Sequence, residues 1–391
     1  MTACAIETAA EGGDAVWPTG FTITANGAYA ARLAGSGDAL YVERWTLDGP
    51  EPYAVPLPLA QPEDPGALLL PLADGRVLIG RRVDGRRYTF SLLYPTGPET
   101  GELALGAVEA PPSGELVLLP PSPDGICAYA MGVGEDTTTL WLVAGGAFGP
   151  EQVAEVKGWC SGGVWLDRTG RMLALDRRLG DGPVKAVAID LERGGEVTPL
   201  LQITEQSHDR LLLADPDSGL LLIRSDAPSP GHDRLGWGVL GSLLPVRFPE
   251  CLRLDDAAVT PFAVQPGQVL MPESCGVALR IDAAAGSWVG MWRPSSRRMH
   301  QLAAPLGWLA GSGLWTADGV LRLPYATPGT PCGLATLEEP AELPLTEPER
   351  DSDRAPGRVP DRESGPVAEG PRVCRPVPLQ QAPLTDRKPA G

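Results

Sequence analysis

The sequence predicts an all-β fold made of small repeated sheets, and two observations carry this prediction. A glycine-centred turn recurs seven times, with successive glycines between 45 and 52 positions apart. The segments between the turns are short runs rich in Val, Leu, Tyr and Trp, separated by Gly, Pro and Asp, as is typical of strands and their turns. The turns are Asn26-Gly27, Asp74-Gly75, Asp124-Gly125, Thr169-Gly170, Ser218-Gly219, Pro266-Gly267 and Asp318-Gly319.

A period of this size on short strands is the sequence signature of a β-propeller, with one four-stranded blade in each repeat. We therefore predict an all-β, seven-bladed β-propeller of four-stranded blades over residues 1–345. The predicted blades lie near residues 17–58, 64–109, 115–157, 158–204, 207–252, 256–303 and 306–345. An open β-sandwich with coincidental spacing is the alternative, and the regular intervals argue against it.

The third repeat illustrates the predicted blade. An apolar strand over 116–119 leads into the turn, and a second strand over 126–130 leaves it. A third strand over 139–143 follows a polar loop, and a fourth over 152–156 completes the sheet. The same order recurs along the chain, and few segments have the 3.6-residue period of an amphipathic helix.

The run Ser122-Pro123-Asp124-Gly125, followed by an apolar strand and then by Leu140-Trp141-Leu142-Val143, resembles the TolB-like and WD40-like propeller repeats. The resemblance extends over residues 17–345 and is strongest in the third and fifth repeats. It implies the propeller architecture. The WD40 signature itself is not met, since Gly-His occurs only at Gly231-His232 and no Trp-Asp pair is present, so the subfamily stays open.

Beyond residue 345 the composition changes to charged and Pro-rich, with too little apolar content to form a core. We predict that residues 346–391 are disordered. An apolar island at 372–379 is either a docking peptide or part of an inert tail, and the inert tail is favoured. The last blade either completes itself with 341–345 or takes an outer strand from 2–9.

Charge and composition exclude several classes of function. The formal net charge is −17, and such a surface repels nucleic-acid phosphates. No run reaches the ~20 apolar residues that span a bilayer, and the first residues lack the features of a secretory signal. The seven cysteines are scattered with no CxxC pair, as expected for reduced thiols in a cytoplasmic protein without a cofactor.

Two apparent motifs are rejected on their context. Residues 236–241 spell GWGVLG, the dinucleotide-binding pattern, but Pro245 follows and the match falls on an expected strand rather than before a helix. Residues 215–219 hint at a calcium loop, yet the downstream bidentate Glu is missing. A turn in which Asp side chains accept local backbone amides is the better interpretation.

Two of the three histidines occur in nearly identical motifs, Ser207-His208-Asp209-Arg210-Leu211 and Gly231-His232-Asp233-Arg234-Leu235. In a propeller blade, the connection before the first strand and the loop between the second and third strands lie on one face. Both motifs should therefore meet at one rim of the fifth blade. His208, Asp209, His232 and Asp233 would supply a metal site or a general acid–base pair. Solvated loop residues with local salt bridges are the favoured alternative.

Residues ten or eleven positions before each turn glycine should mark the mouth of the ring, where the first strands begin. They are Trp17, Asp64, Glu115, Trp159, His208, Asp256 and Trp308. Tryptophans and acids on one ring suit a cationic or Arg-rich peptide, through cation–π contacts and ion pairs. The alternative is that the tryptophans only pack between blades.

The leading functional hypothesis is a cytoplasmic interaction scaffold that binds a basic protein segment or a cationic ligand on its acidic, Trp-containing face. Arg210 and Arg234 complete the expected binding residues. The alternative is a propeller enzyme of lyase, cyclase or hydrolase type that uses the two His-Asp pairs, with or without a metal. The partner, the substrate and the oligomeric state stay open.

Overall fold

The computed structural model describes residues 20–267 and 271–338. Regular structure in these ranges consists of β-strands and three one-turn 3₁₀ helices, Leu191–Arg193, Glu250–Leu252 and Pro272–Ser274. No helix in this part of the chain is long and apolar enough to cross a membrane. The fold is an all-β propeller, in which small antiparallel sheets follow one another around a ring.

Five blades contain four antiparallel strands that pair in sequence order. The first three blades comprise β1 Thr22–Ile23, β2 Tyr29–Ala34, β3 Tyr41–Thr46 and β4 Tyr53–Leu57; β5 Leu68–Pro71, β6 Val77–Asp84, β7 Arg87–Pro95 and β8 Thr100–Glu109; and β9 Glu115–Leu118, β10 Ala128–Val133, β11 Thr137–Ala144 and β12 Glu151–Lys157. The fourth comprises β13 Trp159–Trp165, β14 Met172–Arg178, β15 Lys185–Asp190 and β16 Glu196–Leu201.

Two further units contain three strands each. One consists of β17 Asp209–Ala214, β18 Leu220–Ser225 and β19 Arg234–Val239. It is followed by the fifth four-stranded blade, β20 Ala257–Val264, β21 Val277–Ala283, β22 Gly286–Trp292 and β23 His300–Leu302. The last unit consists of β24 Leu314–Trp315, β25 Val320–Thr327 and β26 Thr330–Glu338.

The prediction of seven four-stranded blades is therefore wrong in its count, since five blades are complete. After β19, residue 247 forms only an isolated bridge with Trp237. Pro245 and Pro249 flank this bridge, and proline cannot donate to a strand ladder. The strands expected to complete the last unit, 341–345 or 2–9, lie outside the described residues, as does the predicted disordered tail.

The two consecutive units β13–β16 and β17–β19 are joined into one seven-stranded sheet. The junction is a single parallel pair between Lys185 on β15 and Asp209 on β17. No other strand pair joins successive sheets in the described residues, and elsewhere they meet mainly through side chains. The apolar core accordingly lies between the sheets, with Leu92 and Leu116 in one cluster and Met131 and Leu175 in the next.

The seven predicted turns explain the repeated glycines. All seven turn glycines have positive φ, from 70° to 88°, which residues with a Cβ rarely adopt. The space is restricted as well: a methyl group on Gly125 would lie 2.5 Å from the Cβ of Ala73, in the turn of the preceding blade. The amide of Ala73 also donates to the carbonyl of Gly125 at 2.9 Å, so neighbouring turns contact each other.

The ring closes where the first and last sheets meet. Phe21 and Trp45 are buried in one cluster with Leu309 and Leu334, and the Ser312 hydroxyl donates to the Phe21 carbonyl at 3.1 Å. Burial of such large apolar side chains stabilises a fold by roughly 1.5–3 kcal/mol each. Within the described residues, this closure rests on packing and not on a shared strand.

Strand order defines two faces of the ring. The first strand of each sheet begins at one face, and the loops joining second and third strands return to that face, which we call the start face. The seven glycine turns lie at the opposite face, together with the loops joining third and fourth strands. We call it the turn face. The predicted site residues belong to the start face, except Trp17, which lies outside the described residues.

Candidate functional site

His208 lies just before β17 and is exposed. Its Nδ1 accepts a hydrogen bond from the amide of Val184 at 3.2 Å, and its own amide donates to Asp226 Oδ1 at 2.8 Å. One ring nitrogen of His208 is thus occupied by the backbone of the neighbouring blade. This arrangement holds the connection between β16 and β17 in place.

Asp209 is buried, and its carboxylate is fully used by the surrounding chain. It accepts from Lys185 Nζ at 2.7 Å, from Ser225 Oγ at 2.6 Å and from the amide of Ile203 at 2.9 Å. Ser207 Oγ adds a donor at 2.9 Å. Because these donors occupy the carboxylate, Asp209 anchors the strand and does not orient His208.

The second motif lies in the loop between β18 and β19, where His232 and Asp233 are exposed. Asp226 connects the two motifs, because its Oδ1 accepts from the amide of His208 and its Oδ2 accepts from the amide of Gly231 at 3.3 Å. No group of three or more His, Cys, Asp or Glu side chains suited to a metal ion occurs in the residues that the structure describes. In this loop, Asp226 therefore binds backbone amides from both His-Asp-Arg motifs.

The two arginines of these motifs have different surroundings. Arg234 forms an ion pair with Glu250 at 2.9 Å. Arg210 lies opposite Arg224 on the paired strand β18, and Arg224 donates to the Val259 carbonyl at 3.4 Å. Burial lowers the pKa of Arg224, and the neighbouring positive charge of Arg210 lowers it further.

A buried acid near these arginines was missed by the sequence reasoning. Asp176 on β14 is only 4% exposed and accepts from the amide of Leu211 at 3.0 Å. Burial raises the pKa of Asp176 to about 7, although this amide and the charges of Arg210 and Arg224 oppose the rise. The available signal was an aspartate that directly follows the apolar run over residues 172–175.

Three acids predicted at the mouth lie on the start face and are exposed. Asp64 Oδ1 accepts from the amide of Gly66 at 2.7 Å. Glu115 begins β9 and Asp256 directly precedes β20, and neither carboxylate has an ion pair or hydrogen bond within the described residues. The start face therefore carries carboxylates that no part of the described chain neutralises.

The predicted tryptophans contact the chain itself. Arg178 lies over the ring of Trp159, 4.9 Å from its centroid. Trp308 packs against Phe262 at a centroid distance of 5.6 Å, and its indole donates to the Ser312 carbonyl at 2.9 Å. Trp17 lies outside the described residues. One cation–π partner of Trp159 is thus already supplied by the protein.

The rejected motifs have the structures that their context indicated. The glycines at 236 and 238 belong to strand β19, with no helix after them. In the Asp215 turn, Oδ2 accepts from the amide and the hydroxyl of Ser218, at 3.0 Å and 2.6 Å. Asp217 forms an ion pair with Arg168 and accepts from the amide of Gly267. These carboxylates hold turns together.

No protein-family model matches the chain, and no curated protein matches it. Several solved structures do. A prolyl endopeptidase is 15% identical, with 82% of this chain and 47% of that chain covered and a TM-score of 0.50. Prolyl oligopeptidase B from Galerina marginata is 10% identical, with 81% and 45% covered and a TM-score of 0.51.

TolB from Acinetobacter baumannii is 11% identical, with 78% of each chain covered and a TM-score of 0.43. The chain spans about half the length of the two peptidases that it matches. At these identities, the likeness to the peptidases shows the propeller fold alone.

Proposed function

We propose that this protein is a non-catalytic scaffold whose start face binds a basic protein segment or a cationic ligand. The observation that carries the proposal is the pair of exposed carboxylates, Glu115 and Asp256, which have no polar partner within the described residues. Arginine side chains bind such carboxylates through charge-assisted, bidentate hydrogen bonds. An Arg-rich segment is therefore the ligand that best fits this face.

Further acids around the same face support this choice of ligand. Glu135 and Asp136 lie exposed in the loop between β10 and β11, Asp181 in the loop between β14 and β15, and Glu205 before β17. Together with the net charge of −17, they attract a cationic partner and accelerate its association. The half-buried rings of Trp159 and Trp308 add apolar area at the rim.

The contacts of His208 and Asp209 argue against the enzyme alternative. Asp209 is saturated by Lys185, Ser207 and Ser225 and has no capacity left to orient an imidazole. One nitrogen of His208 accepts a backbone amide. An acid–base pair needs a side chain that is free to exchange a proton with a ligand, and these contacts argue against that role.

The proposal also includes the domain organisation and the cellular compartment of the protein. We take the seven repeats as seven positions of one ring, with residues 1–345 as a single domain. We also propose that the protein works in the cytoplasm. Its support is that the described cysteines are all unpaired, as in a reducing compartment; they are Cys127, Cys160, Cys251, Cys275 and Cys332.

The proposal is tested with a fluorescent arginine-rich peptide titrated into the full chain. We expect saturable binding that weakens as salt rises, because the contacts are ionic. The double variant Glu115→Gln/Asp256→Asn should weaken binding about tenfold, since each exposed ion pair contributes up to ~1 kcal/mol.

Glu51→Gln/Asp318→Asn is the matched control, because it also removes two charges and both acids are exposed on the turn face. It should leave the affinity unchanged. Equal losses in the control and in Glu115→Gln/Asp256→Asn would mean that only net charge matters and would contradict the assignment to the start face. Absence of saturable binding to the unchanged protein would refute the proposal itself.

A further inference from the structure

An exposed apolar patch lies on the turn face, away from the proposed binding face. It consists of Leu240, Leu243, Leu244 and Met271, and Leu243 is 62% exposed. A small groove lies between the two segments, and Leu244 from one segment and Glu273 from the other line it together with Trp237 and Pro245. Clustered exposed apolar side chains of this kind mark interaction sites.

The patch exists because the unit β17–β19 lacks a complete fourth strand. The chain after β19 makes only the bridge between Trp237 and Arg247 and then passes through a one-turn 3₁₀ helix. Pro245 and Pro249 prevent a longer ladder. In the described ranges, the leucines before the bridge are therefore left at the rim without an outer strand to cover them.

The chain leaves its described part on the same face as the patch. Glu338, at the end of β26, pairs with Val320 beside the Gly319 turn. The amide of Leu240 donates to the carbonyl of Gly219, which is also a turn-face glycine. Residues beyond 338 therefore start on the turn face.

The length of the following chain suffices to reach the patch. An unstructured chain of the length that separates residue 338 from residue 372 would have a root-mean-square end-to-end distance of roughly 30 Å. A compact domain of this size has a radius of gyration of about 20 Å. Any point of the turn face is within reach.

The segment 372–379 has the chemistry that the patch requires. It contains Val373, Val377 and Leu379, two arginines and no acid. In an extended segment, these apolar residues lie on one side because they are two or four positions apart. In such a segment, the amides of odd-numbered and even-numbered residues point to opposite sides. Both prolines, Pro376 and Pro378, are even-numbered, so the amides on the odd-numbered side can all donate to a sheet edge. The arginines complement Glu273, which borders the groove.

We propose that residues 372–379 dock in cis onto the apolar patch and cover the edge of the incomplete unit. The occupant is thus the tail of the same chain. Its Cys374 lies in the middle of the docking segment and provides a native reporter of the contact.

The test is disulfide trapping in the full chain, at low protein concentration under mild oxidation. Leu243→Cys should link position 243 to Cys374 at least about tenfold faster than Phe148→Cys links position 148, because docking raises the effective concentration of the thiol. Phe148 is a matched control, since it is 99% exposed and lies on the turn face in the loop between β11 and β12. Peptide mapping assigns each link among the native cysteines.

A change in the tail provides a second readout that leaves the ring intact. Val377→Asp should abolish the rate advantage and increase amide exchange around residues 240–247, whereas Val367→Asp, outside the docking segment, should change neither. Equal trapping rates at positions 243 and 148 would overturn the proposal. So would links between separate molecules that increase with concentration, which would indicate a second copy on the patch.

Discussion

The two faces of the ring use the same residue type in opposite ways. On the turn face, Asp124 and Asp167 accept the backbone amides of their own turns, and Asp217 is paired with Arg168. On the start face, Glu115 and Asp256 have no such partner within the described residues. An acid therefore stabilises the fold where a tight turn presents amides to it, and is available to a ligand where an extended strand begins.

The turn-face carboxylates Asp124 and Asp217 also have lowered pKa values. The hydrogen bond from Arg168 lowers the pKa of Asp217. Burial acts to raise the pKa of Asp124, but the amides of Cys127 and Ile126 outweigh it and the pKa is lowered. These shifts mean that the charged form of each carboxylate is the one that the folded turn binds.

Start-face acids that have partners, such as Asp64 and Asp226, are exceptions to this division. The strongest test uses another of them, Asp209, which is buried and paired. Asp209→Ala should destabilise the protein by about 3–5 kcal/mol, because it leaves Lys185 without its counter-charge. Chemical denaturation measures the loss. Asp233→Ala removes the equivalent, exposed acid of the second His-Asp-Arg motif and should change stability by less than ~0.5 kcal/mol. Similar small effects of both changes would contradict the burial-based account.

Two glycines separate backbone strain from close packing on the two faces. Gly125 on the turn face and Gly180 on the start face both have positive φ, 70° and 52°. A methyl group on Gly125 would clash with Ala73, whereas a methyl on Gly180 would meet nothing within 4 Å. Gly125→Ala should cost about 2–3 kcal/mol and Gly180→Ala about 1 kcal/mol.

Thermal unfolding of the two variants decides this point. Equal decreases in Tm would show that strain alone matters and that the contact between neighbouring turns contributes nothing.

The smallest expected effect on stability comes from comparing a carboxylate that accepts turn amides, Asp124, with one that has no partner in the described residues, Glu115. Asp124→Ala should cost about 1 kcal/mol by removing the acceptor for two amides, and Glu115→Ala should be nearly neutral. Because the pKa of Asp124 is lowered from 3.8 in the folded state, its charge-dependent stabilisation is present above that pH and is lost as the pH falls through the lowered value.

Urea denaturation at neutral pH and near pH 3 measures this difference. The difference in free energy of unfolding between the unchanged protein and Asp124→Ala should be smaller near pH 3 than at neutral pH. The same difference at both pH values would mean that the charge of Asp124 does not stabilise the turn.

The repeated turns were predictable because each obeys a local rule. A residue with φ near +70° is most often glycine whatever surrounds it, so the spacing of Gly75, Gly125 and Gly170 indicates the architecture directly. The number of strands in each blade was less accessible. Residue 247 looks like part of a strand, and only the flanking prolines indicate that pairing stops at one bridge.

Site chemistry depended on contacts between distant parts of the chain. His208 and Asp209 are neighbours in sequence, yet one is exposed and the other is completely buried against Lys185. No local pattern reports that Val184 donates to His208 across the blade boundary. The pKa of Asp176 likewise reflects burial between two blades, which periodicity does not reveal.

The packing of Phe21 and Trp45 against Leu309 and Leu334 gives the ring a seam. A ring of sheets resists an applied force evenly only when all junctions between neighbouring sheets are alike. The junctions in the described residues differ. The one between β15 and β17 carries a backbone pair and a buried ion pair. The contacts of the seam, within the described residues, are apolar packing and the hydrogen bond from the Ser312 hydroxyl. A force applied between residues 20 and 338 should therefore separate the first and last described sheets at this seam before it opens the junction between β15 and β17.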